Sequence, residues 1–301
     1  MRKLHGAIIP VVTPFSREGE ILFDGICANL ERWNRTGVGG YMFLGTNGEF
    51  RSLSDEESVR VTEASLDAAA ADKARIVGIG RESLHQTLAV MRLMRPLREG
   101  IDYFSVLTPC YFKKQMSDDA LYAYYTAIAD ASPAPLLLYT APSYANQVAI
   151  SPALLRRLAD HPNIAGIKDT SADMMDSYMD AAGGRGDFAV IAGSVKNLQA
   201  CLERGGESGI LSAANYLPDA CAEIIRCFDE GDVPRFEAKA AALRALTAAT
   251  AAPYGVSGVK ACMNLLGYTG GWPRLPVLPL AEDVCGKLAD AFREAGYPVD
   301  D

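Results

Sequence analysis

Only 3 histidines and 2 tryptophans stand among the 301 residues, and the 7 cysteines include no C-x-x-C pair. His5, His85 and His161 lie far apart and lack the H-E-x-x-H or cysteine-paired spacing that gathers ligands around zinc, so neither a metal nor another cofactor is expected. An odd number of scattered cysteines does not make a disulfide framework; they read as reduced, mostly buried thiols. There is no basic run of five or more residues, and 29 Lys+Arg against 37 Asp+Glu leave a net charge of −8, which excludes a chain built to track nucleic acid. Long apolar runs are missing too. The N-terminal stretch MRKLHGAIIPVVTPF is broken by Pro10 and Pro14 and is too short for a signal or a spanning helix, so no membrane partner and a cytoplasmic location are expected. What is present is 49% apolar and 22% charged residues with a mean hydropathy of +0.04, the balance of a globular protein rather than a disordered tail or a membrane bundle.

Short apolar runs alternate with amphipathic stretches of helical length, the βαβα pattern of a parallel sheet wrapped by helices. The candidate strands are 6–12, 40–45, 75–80, 102–108, 135–140, 163–169, 188–194 and 208–213, eight in all. Ser54 with Glu57 spells a capping box, Ser151 precedes Pro152, and Pro218 opens the helix after the eighth strand. Eight such units within about 230 residues match the size of a (β/α)8 TIM barrel. Beyond them, 234–250, 257–267 and 280–296 read as helices with no strands between. The expected division is therefore a barrel over 1–230 and a C-terminal helical appendage over 231–301, packed on it because no flexible linker intervenes.

In such a barrel the chemistry belongs at the C-terminal ends of the strands. Four of those ends carry suitable groups: Gly45-Thr46-Asn47-Gly48-Glu49, Thr108-Pro109-Cys110-Tyr111, Tyr139-Thr140 and Lys168-Asp169. A lysine, two tyrosines and a glycine-flanked Thr-Asn pair, without a histidine relay, point to amine chemistry rather than hydrolysis. Lys168 shares a strand face with Gly166, which would leave room beside its stem. Desolvation there would disfavour the ammonium form and let the amine attack a ketone, whereas the plain alternative is a strand-end lysine paired with Asp169. Tyr139 reads equally as a core aromatic or a proton carrier, Tyr111 as a packing lid or a relay, and the Gly45–Gly48 turn as a tight connection or an anion site. The Gly78-Ile79-Gly80 pair lacks the third glycine of a dinucleotide fingerprint.

The segments GTNGEF (45–50), TPCYF (108–112), LLLYTAPS (136–143), GIKDTS (166–171), AGS (192–194) and GILSAAN (209–215) together resemble the dihydrodipicolinate synthase and N-acetylneuraminate lyase superfamily of Schiff-base aldolases. The resemblance runs from about Gly6 to the C-terminal helices, and it implies a metal-free lyase that joins or releases pyruvate and an aldehyde as a homotetramer of tight dimers. It makes Lys168 the imine-forming residue, Tyr139 the general acid/base, and Thr46 the hydroxyl that bonds this tyrosine. Tyr111 becomes a relay inserted into a neighbouring subunit's site. Thr46 and Asn47 match the carboxylate-binding pair, whose second member is often Thr, while Gly193 and Leu211 match positions that line the pocket. Where dihydrodipicolinate synthases place an arginine that binds the aldehyde's carboxylate, this chain has Tyr144, which cannot act as an anion clamp. The expected substrate is therefore of the 4-hydroxy-2-oxoglutarate or 2-keto-3-deoxy sugar-acid type. The alternatives are 4-hydroxy-tetrahydrodipicolinate synthesis itself, a deoxy sugar-acid dehydratase using the same imine, and a barrel that binds without catalysis.

Overall fold

A computed structural model describes residues 2–299. Among them eight parallel strands close into a barrel in chain order: β1 (Gly6–Pro10), β2 (Gly40–Phe43), β3 (Ala74–Gly78), β4 (Tyr103–Leu107), β5 (Leu136–Thr140), β6 (Ile164–Asp169), β7 (Ala189–Ala192) and β8 (Ser208–Ile210). Their apolar residues are buried almost without exception, as expected of strands covered on both faces. Between and after them run α1 (Phe23–Trp33), α2 (Asp55–Ala68), α3 (Leu84–Leu93), α4 (Asp118–Ala131), α5 (Pro152–Leu158), α6 (Met175–Ala182), α7 (Val195–Glu203) and α8 (Pro218–Asp229). The C-terminal helices are α9 (Val233–Ala249), α10 (Gly255–Leu265) and α11 (Glu282–Glu294). None of the described helices is long and apolar enough to cross a membrane.

All eight expected strands are present, but most end sooner than their apolar runs. The run from 6 to 12 stops being strand after Pro10, where Val11 N–H still bonds Met42 O at 2.9 Å but Val12 N–H turns to the Asn215 side chain. The helix starts follow the cap chemistry. Ser54 Oγ accepts from Glu57 N–H at 3.1 Å while the Glu57 carboxylate accepts from Ser54 N–H at 2.9 Å, and Ser151 Oγ accepts from Leu154 N–H ahead of Pro152.

The chain falls into two structural units, one of residues up to 5 with 74–210, the other of 6–73 with 211 onward. In the first, β3 to β8 alternate with α3 to α7, and the β5/β6 register sets Tyr139 beside Lys168 and Thr140 beside Asp169. In the second, the C-terminal segments fasten onto the first helices and loops. Asn29 on α1 exchanges two hydrogen bonds of 2.9 Å with the backbone of Thr269, and Trp33 stacks on Tyr268. Leu211 N–H bonds Ile8 O at 3.1 Å, and the fully buried Asn215 completes that junction. Its Oδ1 accepts from Val12 N–H, and its Nδ2 donates to Pro10 O and Ser212 O.

Replacing Asn215 by leucine keeps a similar volume but strands one buried N–H and two carbonyls. At about 1–3 kcal/mol for each stranded group, with incomplete additivity, Asn215→Leu should lower the unfolding free energy by roughly 2–5 kcal/mol. Urea unfolding measures this, and a loss below about 1 kcal/mol would contradict the role given to this side chain.

Candidate active site

β6 carries the buried apolar residues Ile164 and Ile167 in the barrel wall and ends in Lys168-Asp169, so the lysine stands next to the strand's C-terminal residue. Lys168 is 5% exposed and Tyr139 3%, and the lysine Nζ lies 4.2 Å from the centre of the tyrosine ring. Ladder register thus sets these two residues of adjacent strands side by side. Gly166 has a different reason from the one expected. A Cβ there would lie 2.4 Å from Ala189 O, so glycine is required by the neighbouring strand's backbone rather than by the lysine stem.

The backbone beyond Lys168 is tightly committed. Thr170 N–H bonds Thr140 O at 3.0 Å, and Gly193 N–H bonds Asp169 O at 2.6 Å. A Cβ on Gly193 would meet that same carbonyl at 2.5 Å, so the closeness of this crossing dictates glycine. The fully buried Asp169 accepts from Ser171 N–H at 2.8 Å, and burial pushes its carboxyl above the usual range. Ser171 O in turn accepts from Asn197 Nδ2 at 2.8 Å. Beside this turn, Tyr178 donates to Ile150 O at 2.6 Å, its phenol raised by burial to about 12. The strand end that carries the amine therefore has little freedom to move.

The two other tyrosines behave differently. Tyr111 is 76% exposed and packs edge-on against Phe112 at 5.0 Å. Its side chain faces solvent, but its backbone is pinned: the Glu82 carboxylate accepts from both Cys110 N–H and Tyr111 N–H at 2.9 Å, and Asn146 Nδ2 donates to Cys110 O at 3.2 Å. Tyr144 sits in a short 3-10 turn, Pro142–Tyr144. The residue is 54% exposed, yet its phenol is raised, first by burial of the hydroxyl end and then by the Tyr139 phenol.

In the other structural unit, the Thr46-Asn47 turn follows β2 and is bounded by two residues in left-handed backbone, Leu44 (φ 55°) and Glu49 (φ 49°). Such a conformation in non-glycine residues costs about 1–3 kcal/mol each and persists only where the surroundings impose it. Here they do. Thr13 Oγ1 donates to Gly48 O at 2.8 Å, Asn47 Nδ2 donates to Ser212 Oγ at 2.8 Å, and Glu49 forms a buried ion pair with Lys260 at 2.5 Å. Leu211, next to Ser212, is fully buried. Glu82, Glu49, Lys260 and Asn215 were not singled out in the sequence. Lys260, the one charge in the apolar run Gly255-Val256-Ser257-Gly258-Val259-Lys260-Ala261-Cys262-Met263, carried the clearest missed signal.

All seven cysteines are free, four buried and three partly exposed, and no cluster of three or more His, Cys, Asp or Glu gathers among the described residues. Removing the Glu82 carboxylate should release the Tyr111 loop. Each charge-assisted bond to a backbone N–H is worth about 1.5–3 kcal/mol, so in Glu82→Ala the Cys110 and Tyr111 amides should exchange with solvent at least about tenfold faster. Hydrogen exchange by mass spectrometry reads this directly, and unchanged protection would show that something else orders the loop.

A family model described as the Dihydrodipicolinate synthetase family matches residues 3–295. The 4-hydroxy-tetrahydrodipicolinate synthase of Acidiphilium cryptum is 30% identical over 292 residues, spanning 97% of this chain and 98% of that protein. Among solved structures, the N-acetylneuraminate lyase of Proteus mirabilis is 27% identical with a TM-score of 0.88, over 98% of this chain and 100% of that one. A chloride-inhibited dihydrodipicolinate synthase from Acinetobacter baumannii, solved with pyruvate, is also 27% identical, with a TM-score of 0.85 over 98% of this chain and 100% of that one.

Proposed function

The chain belongs to the dihydrodipicolinate synthetase family of carbon–carbon lyases, and on that premise we propose that it is a pyruvate-dependent aldolase working through an imine on Lys168. The observation that carries this reading is the Lys168 amine 4.2 Å from the Tyr139 ring centre, both buried at the ends of adjacent strands. In the cleavage direction Lys168 adds to the keto carbon, water leaves, and the protonated imine forms. Tyr139 accepts the proton of the C4 hydroxyl as the C3–C4 electron pair moves into the imine, so the aldehyde departs and an enamine remains. Protonation at C3 and hydrolysis then release pyruvate and regenerate the amine.

Thr46 and Asn47 take the pyruvyl carboxylate, which orients the keto carbon and turns an encounter into a positioned attack. Gly193 and Leu211 line the pocket with backbone and apolar surface. By the family resemblance Thr46 is assigned as the hydroxyl partner of the Tyr139 phenol and Tyr111 as a relay towards a neighbouring subunit in a homotetramer of tight dimers; the pinned backbone and exposed ring of Tyr111 suit that use. The reaction needs no divalent ion, so activity should survive EDTA.

Two substrate readings compete. The relatives named 4-hydroxy-tetrahydrodipicolinate synthase favour aspartate semialdehyde as acceptor, while Tyr144 favours a hydroxylated one. Losing a guanidinium–carboxylate contact removes about 1.5–3 kcal/mol, or roughly 10- to 150-fold in binding. We therefore assign the preferred substrate to the 4-hydroxy-2-oxoglutarate or 2-keto-3-deoxy sugar-acid class.

Borohydride reduction in the presence of pyruvate should leave an adduct on Lys168, read by peptide mass spectrometry. Lys168→Arg should abolish it, because a guanidinium is no nucleophile at neutral pH. Absence of the adduct, or its appearance on another lysine, would sink the assignment. Tyr139→Phe should slow turnover by about 10²- to 10⁴-fold while trapping survives. For specificity, kcat/KM for pyruvate release from the two keto-acid classes should exceed that for condensation with aspartate semialdehyde, and Tyr144→Arg should narrow the gap. A clear preference for aspartate semialdehyde in the unmodified enzyme decides against the role given to Tyr144.

A further inference from the structure

We infer that Glu49 and Lys260 are a positioning pair that sets the Thr46-Asn47 turn for the substrate's carboxylate, an inference that rests on the carboxylate-binding role proposed for that turn. Lys260 is 1% exposed, on α10, and its Nζ is gripped from three sides. It lies 2.5 Å from Glu49 Oε1, donates to Thr13 O at 2.9 Å and to Trp272 O at 2.7 Å, and sits 4.4 Å from the centre of the Phe15 ring. Each partner leads back to the turn. Glu49 is its last residue, held in left-handed backbone, with its N–H on Thr46 O at 3.1 Å. Thr13 uses its hydroxyl to hold Gly48 O. The second Glu49 oxygen accepts from Arg274 N–H at 3.0 Å, and the Arg274 guanidinium is itself clamped by both Glu57 oxygens, Ser52 O and Gly19 O.

The turn is thus bonded at Thr46 O, Gly48 O and Glu49, and the load passes to one buried ammonium. A salt bridge this deep adds little net stability compared with an apolar pair of the same volume, while breaking only one partner strands a buried charge. What the pair supplies is geometry. The charged groups facing Lys260 are the Glu49 carboxylate, which favours the ammonium, and the Arg274 guanidinium, which opposes it; burial, seconded by Arg274, outweighs Glu49 and pushes Lys260 down to about 8. Because the folded value lies below that of the unfolded chain, this group makes the protein more stable, not less, as pH rises beyond about 8. The ammonium that Glu49 needs is lost over the same range. Carboxylate binding and stability should therefore respond to pH in opposite directions.

The test compares Lys260→Met, Glu49→Gln and the double variant Glu49→Leu with Lys260→Met. Pyruvate KM should rise about tenfold or more in each with kcat changed less than about threefold, and amides 46–49 should exchange with solvent at least tenfold faster. The double variant strands Arg274 N–H, Thr13 O and Trp272 O but leaves no unpaired buried charge, so it should melt below the unmodified protein yet above either single variant, stay folded and still show both effects, which separates positioning from folding. In the unmodified protein KM should climb as pH passes about 8, a limb absent from the double variant. A double variant that stays folded with KM and amide exchange unchanged overturns the inference. Thr46→Val is the control for the underlying reading: if it leaves KM unaltered, the carboxylate role fails, and the amide exchange of the double variant still decides whether the pair holds the turn.

Discussion

The buried backbone that runs out of β1 must find a partner for every donor and acceptor, and much of that requirement falls on one side chain. After Leu211 N–H has bonded Ile8 O, the fully buried Asn215 side chain takes over, accepting from Val12 N–H and donating to Pro10 O. A carboxamide is the right group because it presents a donor and an acceptor together, which neither a carboxylate nor a hydroxyl does in a fixed geometry. The same side chain bonds Ser212 O, so the turn carrying the Asn47 partner Ser212 is fixed by the residue that satisfies the backbone after β1.

A second device recurs in both units: carboxylates that receive backbone N–H groups. Glu82 binds two amides ahead of the exposed Tyr111, Glu57 binds Ser54 N–H while clamping Arg274, and Glu49 binds Arg274 N–H while pairing with Lys260. A bond from an amide to a charged acceptor is worth about 1.5–3 kcal/mol against roughly 0.5–1.5 for a neutral pair, so a few glutamates can hold loops that bury little apolar surface. The acidic excess of the chain is therefore partly structural. By contrast, the backbone that carries Lys168 is held by strand register and by the crossings of Gly166 and Gly193 against neighbouring backbone.

This contrast explains which features could be read from the sequence. Strands buried on both faces must be apolar throughout, so all eight were visible as runs, and Lys168 and Tyr139 were visible as the polar residues at which two of those runs end. Strand ends were less legible because they depend on partners remote in the chain, as Val12 depends on Asn215. The reason for Gly166 was misread for the same cause, since the atom that forbids a side chain belongs to β7. Glu49 and Lys260 were visible as residue types, but nothing local announces that a lysine in an apolar helix and a glutamate after a glycine will meet.

The C-terminal helices take their meaning from that meeting. A barrel needs only its eight repeated units to close, yet in this chain the segment from Lys260 to Arg274 supplies both cations that the loops after β1 and β2 are built around. Glu49 is buried, and a buried carboxylate without a partner costs far more than the pair contributes, so the left-handed, acid-bearing turn depends on the C-terminal cations that meet it. Gly271 shows how close that approach is, since a Cβ there would come within 2.7 Å of Phe15 O. The helical region is thus better understood as the far side of the turn's hydrogen-bond network than as an addition to a finished barrel.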